Sequence, residues 1–460
     1  MPLRLSLLIA FALVLAGTRA DEKKPLSRIA FGSCVHQDKE QPVWEAIAKQ
    51  RPELLLMLGD NIYADTQDIE AMRAKYAKLA AQPGYRRLRE ACPMMATWDD
   101  HDFGGEDAGS EYPKKKESQE AFLDFFQVPK DAAIRKQEGI YTSAVYGPEG
   151  KRVQVILLDT RYHRSPLKKD LKLPRNKGQY VPNTDDGATM LGEAQWRWLD
   201  GELRKPAEVR LLCSSVQVIA EDHGFEKWMN LPRERARLYR LIRDAKAGGV
   251  IVLSGDRHLA ELSAMDAGVG YTLYDLTSSG LNQANRRFRP LEVNRHRVAT
   301  MDRGNNFGVV RIDWDKKDPQ ITLEIRDEDG DVTIGHKLPL SQLQPRGRRA
   351  GLDGAEDLAA AARTREGKEW AVELVVQSTG QSRDKGRIYL NSEADFRSER
   401  NLTIVLDTKS LARDLKEARV KDPRKHFGGK KVKVTGKVTI FRDNPQIEVT
   451  RLSQIQVVGE

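Results

Sequence analysis

Cysteine is scarce in this chain of 460 residues: there are three, Cys34, Cys92 and Cys213. A small odd count excludes a disulfide-built scaffold and leaves at least one thiol over. Aromatic residues reach only 7%. Long apolar runs are missing except at the N-terminus. There Arg4 precedes Leu5–Ala16, and Gly17-Thr18-Arg19-Ala20 closes the run with small residues. That pattern is expected of a secretory signal peptide over residues 1–20 rather than of a membrane span. No other stretch is long enough to cross a bilayer, so the expectation is an exported chain (periplasmic, extracellular or cell-surface) with no stable membrane anchor after cleavage.

Apolar residues make up 40% and charged residues 31%, the balance of a globular protein with room for two or three domains. The formal charge of +9 is uneven. From Lys368 to the end there are 19 basic and 13 acidic residues, whereas Asp21–Gly367 is nearly neutral.

The most informative stretch is Leu54–Asp65, LLLMLGDNIYAD. Five apolar residues read as a strand buried on both faces, as in a parallel sheet. Gly59 turns the chain out of that sheet and leaves Asp60 at its C-terminal end, where ligands of open α/β sheets bind. The same pattern recurs. Arg28–Phe31 runs into Gly32-Ser33-Cys34, and Met94–Thr97 into Trp98-Asp99-Asp100-His101-Asp102. Val153–Asp159 ends in Thr160-Arg161, and Val250–Leu253 delivers Ser254-Gly255-Asp256-Arg257-His258. Helical spacing marks Gln41–Gln50, Ile69–Ala81, Ser118–Phe126, Leu191–Leu203 and Arg233–Ala247. Strands are also expected at Tyr141–Tyr146, Val209–Val218, Tyr271–Leu276, Phe307–Trp314 and Ile321–Arg326, and a long surface loop at Leu167–Asp186. Alternating strands and helices followed by antiparallel signals predict a layered α/β domain on a mixed sheet over residues 28–340. Carboxylates gathered at several strand ends repel one another unless a cation binds them.

Together, Gly32-Ser33-Cys34, Leu58-Gly59-Asp60-Asn61-Ile62-Tyr63, Trp98-Asp99-Asp100-His101-Asp102, Asp159-Thr160-Arg161 and Ser254-Gly255-Asp256-Arg257-His258 resemble the alkaline phosphatase D (PhoD-like) branch of the calcineurin-like metallophosphoesterases. The resemblance covers roughly Arg28–Arg326. It implies a four-layer αββα sandwich, phosphate mono- or diesters as substrates, and Fe3+ with Ca2+ as the metals. By carry-over, Cys34, Asp60 and Tyr63 hold the ferric ion, Asp60 bridges to a second cation with Asp100, and Asp256 and His258 complete the site. Thiolate and phenolate suit a ferric ion. Two-metal hydrolysis follows, with His101 and Arg161 as catalytic groups and Asn61, Arg161 and Arg257 toward the substrate. The chain departs from the family pattern after Trp-Asp-Asp-His: Gly105-Glu106-Asp107 stands where an Asn is common, which adds negative charge. Because the first motif begins at Phe31, the extra N-terminal β-domain of longer members is not expected here.

Beyond a linker at residues 341–367, residues 368–460 read as five strands and one helix, expected to form a small OB-like β-barrel. Lys409–Lys437 carries 11 basic and 3 acidic residues. Such a surface suits nucleic acid or another polyanion, although the aromatics Tyr389, Phe396, Phe427 and Phe441 are few. Two alternatives accompany the phosphatase expectation: a phosphodiesterase or nuclease guided by this tail, and a non-catalytic polyanion-binding protein.

Overall fold

In the computed structural model, which describes residues 23–285, 292–301, 304–345, 358–393, 396, 398, 401–441 and 444–458, the apolar run Leu54–Leu58 is a strand with all five side chains buried. It lies between two parallel neighbours, so that β1 (Arg28–Gly32), β2 (Leu54–Leu58) and β3 (Met94–Thr97) stand side by side. A second sheet takes β4 (Thr142–Tyr146) and β5 (Val153–Leu157). A short surface hairpin, β6 (Lys168–Lys169) with β7 (Tyr180–Val181), interrupts the expected loop. The second sheet continues through β8 (Val209–Cys213), β9 (Val250–Ser254), β10 (Ala260–Asp266), β11 (Thr272–Ser278) and β12 (Arg297–Met301). Its order is β12-β10-β11-β9-β8-β5-β4, with β5, β8, β9 and β11 parallel. The chain then returns to the first sheet as β13 (Asn306–Asp313), β14 (Gln320–Asp327) and β15 (Val332–Pro339), all antiparallel, giving the order β15-β14-β13-β1-β2-β3.

The two-residue period of a strand sorts the side chains. Ile29, Phe31, Leu54, Leu56 and Leu58 join a core shared with second-sheet residues such as Val155, Leu211 and Ile251. Trp196, Leu199 and Leu203 of helix Gly192–Leu203, and Leu238 and Ile242 of helix Pro232–Asp244, belong to the same core. The intervening Ala30, Leu55 and Met57 pack instead with Trp44, Met72, Tyr76 and Leu88 of helices Val43–Lys49, Ile69–Ala81 and Pro83–Ala91. Asp68 starts the helix Ile69–Ala81 by accepting the amides of Glu70 and Ala71 at 3.0 and 3.2 Å, the usual N-cap arrangement.

Besides the hairpin, the larger unit holds strands Ala260–Asp266, Arg297–Met301 and Val332–Pro339 and a helix Pro83–Ala91 that lie beyond the sequence expectation. The expected strand Val209–Val218 stops at Cys213, and Ser214-Ser215 begins a loop. The expected leader, residues 1–20, lies outside the described residues. Among those described, no helix is long and apolar enough to cross a membrane.

The chain divides into two compact units, Met1–Arg346 and Gly347–Glu460. Among the described residues the second has seven strands rather than five: β16 (Glu369–Val375), β17 (Ser378–Gln381), β18 (Arg387–Asn391), β19 (Thr403–Asp407), β20 (Lys431–Phe441), β21 (Asn444–Val449) and β22 (Ile455–Val457). Their order is β16-β20-β21-β19-β18-β17, with β22 on β20. No pairing between β16 and β17 closes this sheet among the described residues, so the closed barrel expected from the sequence is not what the ladders form. The two ends of the order are nonetheless consecutive in the chain, separated by Val376 and Gln377 alone. The alternation in β20 is as read: Lys431, Lys433 and Lys437 are exposed while Val432, Val434 and Val438 are buried.

Candidate metal-binding active site

The ligand-bearing motifs leave the C-terminal ends of neighbouring strands: Cys34 after β1, Asp60 after β2, Asp99 and Asp100 after β3, and Asp256 and His258 after β9. The local backbone is unusual. Cys34 (φ 64°), Asp60 (φ 49°), Asp256 (φ 71°) and His258 (φ 54°) all occupy the left-handed region. Side chains other than glycine pay roughly 1–3 kcal/mol for such conformations, which gather at functional sites. Gly59 has φ 102°, and a Cβ there would stand 2.5 Å from the Cβ of Asp99. Only glycine lets the β2 and β3 ends approach this closely.

Around Asp60 the side chains converge. Cys34 Sγ donates to Asp60 Oδ2 at 3.3 Å and lies 3.1 Å from Ser279 Oγ. Tyr63 Oη donates to the same Asp60 oxygen at 3.3 Å and sits 3.0 Å from His258 Nε2. Ser279 Oγ also accepts the His258 amide at 2.8 Å, tying β11 to this loop. Ligand atoms of Cys34, Asp60 and His258 lie within 4.8 Å of one another, as do those of Asp60, Asp100 and His101, and of Asp99, Asp100 and Asp256. Asp60 and Asp100 are therefore shared between adjoining groups.

Whether these residues fit metal ions is tested by their unmet bonds. Asp60 Oδ1, Asp99 Oδ2, Asp100 Oδ1 and Asp256 Oδ2 are buried acceptors that meet no hydrogen-bond donor among the described residues, although Arg257 stands 3.5 Å from Asp256 Oδ2. Burial raises Asp60 and Asp256 well above the usual carboxylate range, Asp60 further through Asp100. Asp99 is pushed by burial to about 7 even with Arg161 beside it. For Asp100, burial is outweighed by Arg161 and His101, which hold it at about 2. Burial also raises the Cys34 thiol and the Tyr63 phenol. Buried carboxylates with open lone pairs beside a thiol, a phenol and an imidazole form a donor set that a cation completes.

A second carboxylate explains how the strand ends are held. Asp102 is fully buried. It accepts the amides of Asp60, Asn61 and Asp99 at 3.1, 3.3 and 2.7 Å, and the Asn61 side-chain amide at 2.5 Å. Asn61 also donates to Thr97 O at 2.9 Å and is itself fully buried, so it braces the loop from within rather than facing a substrate. Arg161 likewise differs from expectation. Its guanidinium is wholly buried and pairs with Asp99 (2.5 Å) and Glu226 (2.6 Å), which leaves it no route to a phosphate. Arg257 is partly exposed, pairs with Asp256 at 3.5 Å and with Glu292, and lies 4.0 Å over the Phe225 ring. His101 Nδ1 is 2.7 Å from Asp65 Oδ1, and its ring centroid is 4.2 Å from that of Tyr63. Burial opposes its charge, but Asp65 and Asp100 lift its pKa to about 11.

Glu226 was not legible as a site residue. It is buried, and its carboxylate lies with those of Asp100 and Asp107 within 4.8 Å. The only local signal is the charged run Glu221–Lys227, which reads as ordinary loop. Asp107 accepts the hydroxyl of Tyr180 and returns its own amide to Asp100 Oδ2 at 2.7 Å.

Comparison with known proteins converges on the same frame. Alkaline phosphatase D of Bacillus subtilis (strain 168) is 24% identical over 275 residues, covering 51% of this chain and 46% of the relative. The chain thus spans about half the length of that relative. A solved structure of PhoD superposes with a TM-score of 0.53 at 18% identity, over 69% of this chain and 72% of that one, which supports the fold. The family model described as PhoD-like phosphatase matches residues 29–320, from β1 to the first residue of β14 and through all the ligand-bearing strand ends. On that match, which takes in well over half its length, the chain belongs to the PhoD-like phosphatase family.

Proposed function

We propose that this protein is an exported, metal-dependent phosphoric ester hydrolase built on a four-layer αββα frame. The observation that carries the reading is the set of buried carboxylate oxygens on Asp60, Asp99, Asp100 and Asp256 that accept no hydrogen bond among the described residues. They lie among Cys34, Tyr63 and His258, in a chain of the PhoD-like family. Cys34, Asp60, Tyr63 and His258 would hold a ferric ion, whose high charge suits the anionic thiolate and phenolate donors. Asp60, Asp100 and Asp256 would hold calcium, which takes oxygen donors. When bound, such cations supply Lewis acidity toward phosphoryl oxygens and lower the pKa of water.

The remaining steps belong to side chains. The oxygen of a water molecule forms a bond to phosphorus and releases a proton to the solvent as the ester P–O bond breaks. His101, kept protonated at neutral pH by Asp65 and Asp100, gives a proton to the departing oxygen. Arg257, at the rim, offsets charge on the phosphoryl oxygens. Arg161 acts through Asp99 and Glu226 as a positioning residue. The seven-stranded tail we read as an OB-like module, since the two ends of its strand order are one continuous stretch of chain. Its partner would be a polyanion such as nucleic acid.

The test is hydrolysis by the full chain loaded with iron and calcium, offered 4-nitrophenyl phosphate and bis(4-nitrophenyl) phosphate. Turnover that is lost on chelation and restored by metal is expected, and the preferred ester separates phosphatase from diesterase. Absence of turnover in the metal-loaded chain overturns the reading and favours a binding protein.

A further inference from the structure

Beside the candidate centre, the loop Glu221–Lys227 and the segment Leu173–Pro182 line a half-open cavity of about 250 Å³. It is smaller than the roughly 300–1,000 Å³ of sites for drug-sized ligands, so its natural occupant is a compact group. Lys227 lines it and is only 4% exposed. The ammonium donates to Phe225 O at 3.2 Å, and among the described residues no carboxylate lies within ion-pair distance of it. Lysine is rarely buried without a counter-charge, because desolvation then goes uncompensated.

The acidic groups in the wall lie beyond ion-pair distance of that charge and are bonded elsewhere, so they favour it only from afar. Asp222 accepts the Arg295 amide at 2.8 Å and pairs with its guanidinium. Glu221 is engaged by Arg235 at 2.9 Å and His296 at 3.3 Å. His223, also in the wall, has both ring nitrogens occupied, by Gln217 Oε1 (2.9 Å) and the Phe225 amide (3.3 Å). Burial and the neighbouring Arg257 push Lys227 down to about 8, which marks how strongly a charge in this place calls for a partner.

The cavity adjoins the reaction centre through two residues. Tyr180 lines it and donates its hydroxyl to Asp107. Glu226, immediately before Lys227, gathers with Asp100 and Asp107. We propose that this cavity is a leaving-group subsite, in which Lys227 binds a compact anionic group, a carboxylate or a second phosphate, carried on the alcohol side of the phosphate ester. The proposal rests on the phosphoesterase reading above and adds a substrate class to it: esters of acidic alcohols.

Steady-state kinetics on the metal-loaded full chain tests it, with phenyl phosphate against 4-carboxyphenyl phosphate and propyl phosphate against propane-1,3-diyl bisphosphate. The wild type should show a KM lower for the charged member of at least one pair by roughly tenfold, the scale of a charge-assisted hydrogen bond. The pair that responds distinguishes carboxylate from phosphate. Lys227→Met should collapse that ratio toward one and Lys227→Arg should keep most of it. Lys227→Met should melt no lower than wild type, since an unanswered buried charge is removed. Equal KM values within both pairs in the wild type, an unchanged ratio in Lys227→Met, or a folding failure of that variant would each overturn the subsite. If the wild type turns over neither neutral ester nor charged ester, the phosphoesterase reading itself falls, and the subsite with it.

Discussion

Two regions of this chain are dense in charge, and they behave in opposite ways. At the strand ends of the larger unit, carboxylates are buried and several of their oxygens meet no donor. Along β20 of the tail, Lys431, Lys433 and Lys437 are exposed and have acidic neighbours on β16. Glu373 stands opposite Lys433 and 2.9 Å from the Lys431 ammonium, and Glu369 stands opposite Lys437. Net charge alone would rank the tail as the more suggestive region. Unmet valence ranks the strand ends first, because a buried lone pair without a donor costs free energy that only a ligand recovers, whereas water solvates an exposed lysine at almost no cost.

Within the larger unit the same distinction separates carboxylate from carboxylate. Asp102 spends both oxygens on amides. Asp159 accepts the amides of Ile140, Arg161 and Tyr162, and Asp275 those of Val218 and Ile219 together with the Ser254 hydroxyl. These three staple loops. Asp60, Asp99, Asp100 and Asp256 each keep an oxygen that accepts no hydrogen bond among the described residues, which is what makes them candidate ligands.

Substitutions can break or sharpen this contrast. Asp60→Asn should cost the most: activity is expected to fall by more than the roughly 10–100-fold typical of residues behind the ligands. Bound metal, measured by mass spectrometry, should fall with it. A variant with full metal content and full turnover would remove Asp60 from the centre. Next, Arg161→Met leaves Asp99 and Glu226 buried without their cation and should destabilise the fold by about 3–5 kcal/mol, read from urea unfolding midpoints. If instead stability is kept while KM rises, Arg161 touches substrate after all.

Asp102→Asn replaces an acceptor with an amide facing the Asp60, Asn61 and Asp99 N–H groups. Metal affinity, by titration calorimetry on the refolded variant, should drop roughly 10–100-fold, and unchanged affinity would deny the clasp any part in positioning ligands. Smallest of all, Glu373→Gln in the tail should leave the unfolding midpoint unresolved from wild type at moderate salt. A clear loss there would mean that the exposed lysine row depends on its acidic neighbours for more than company.

Much of the centre was legible because its signals are local. A continuous apolar run, a glycine and a carboxylate or cysteine occupy consecutive positions, so strand, turn and ligand are read together at Phe31–Cys34, Leu54–Asp60 and Val250–Asp256. The missed elements lack such signals. Val332–Pro339 exposes Val332 and Thr333 at an edge of its sheet, and Arg297–Met301 is an edge strand of the other, so neither carries a buried apolar run. Pro83–Ala91 hides a helix behind Pro83-Gly84 and three arginines. The tail's extra strands, Ser378–Gln381 and Ile455–Val457, are short and mostly polar or exposed.

By itself, then, the sequence determined which residue types could meet at the ends of parallel strands, since pattern, turn and ligand lie within a few residues of one another. Only the tertiary structure decided their roles. It turned Arg161 and Asn61 inward, brought Glu226 from a distant loop to Asp100, and buried Lys227 with no ion-pair partner among the described residues. The physical reason is that burial and partnership arise between segments remote in the chain, and those two quantities, rather than residue type, separate a staple from a ligand.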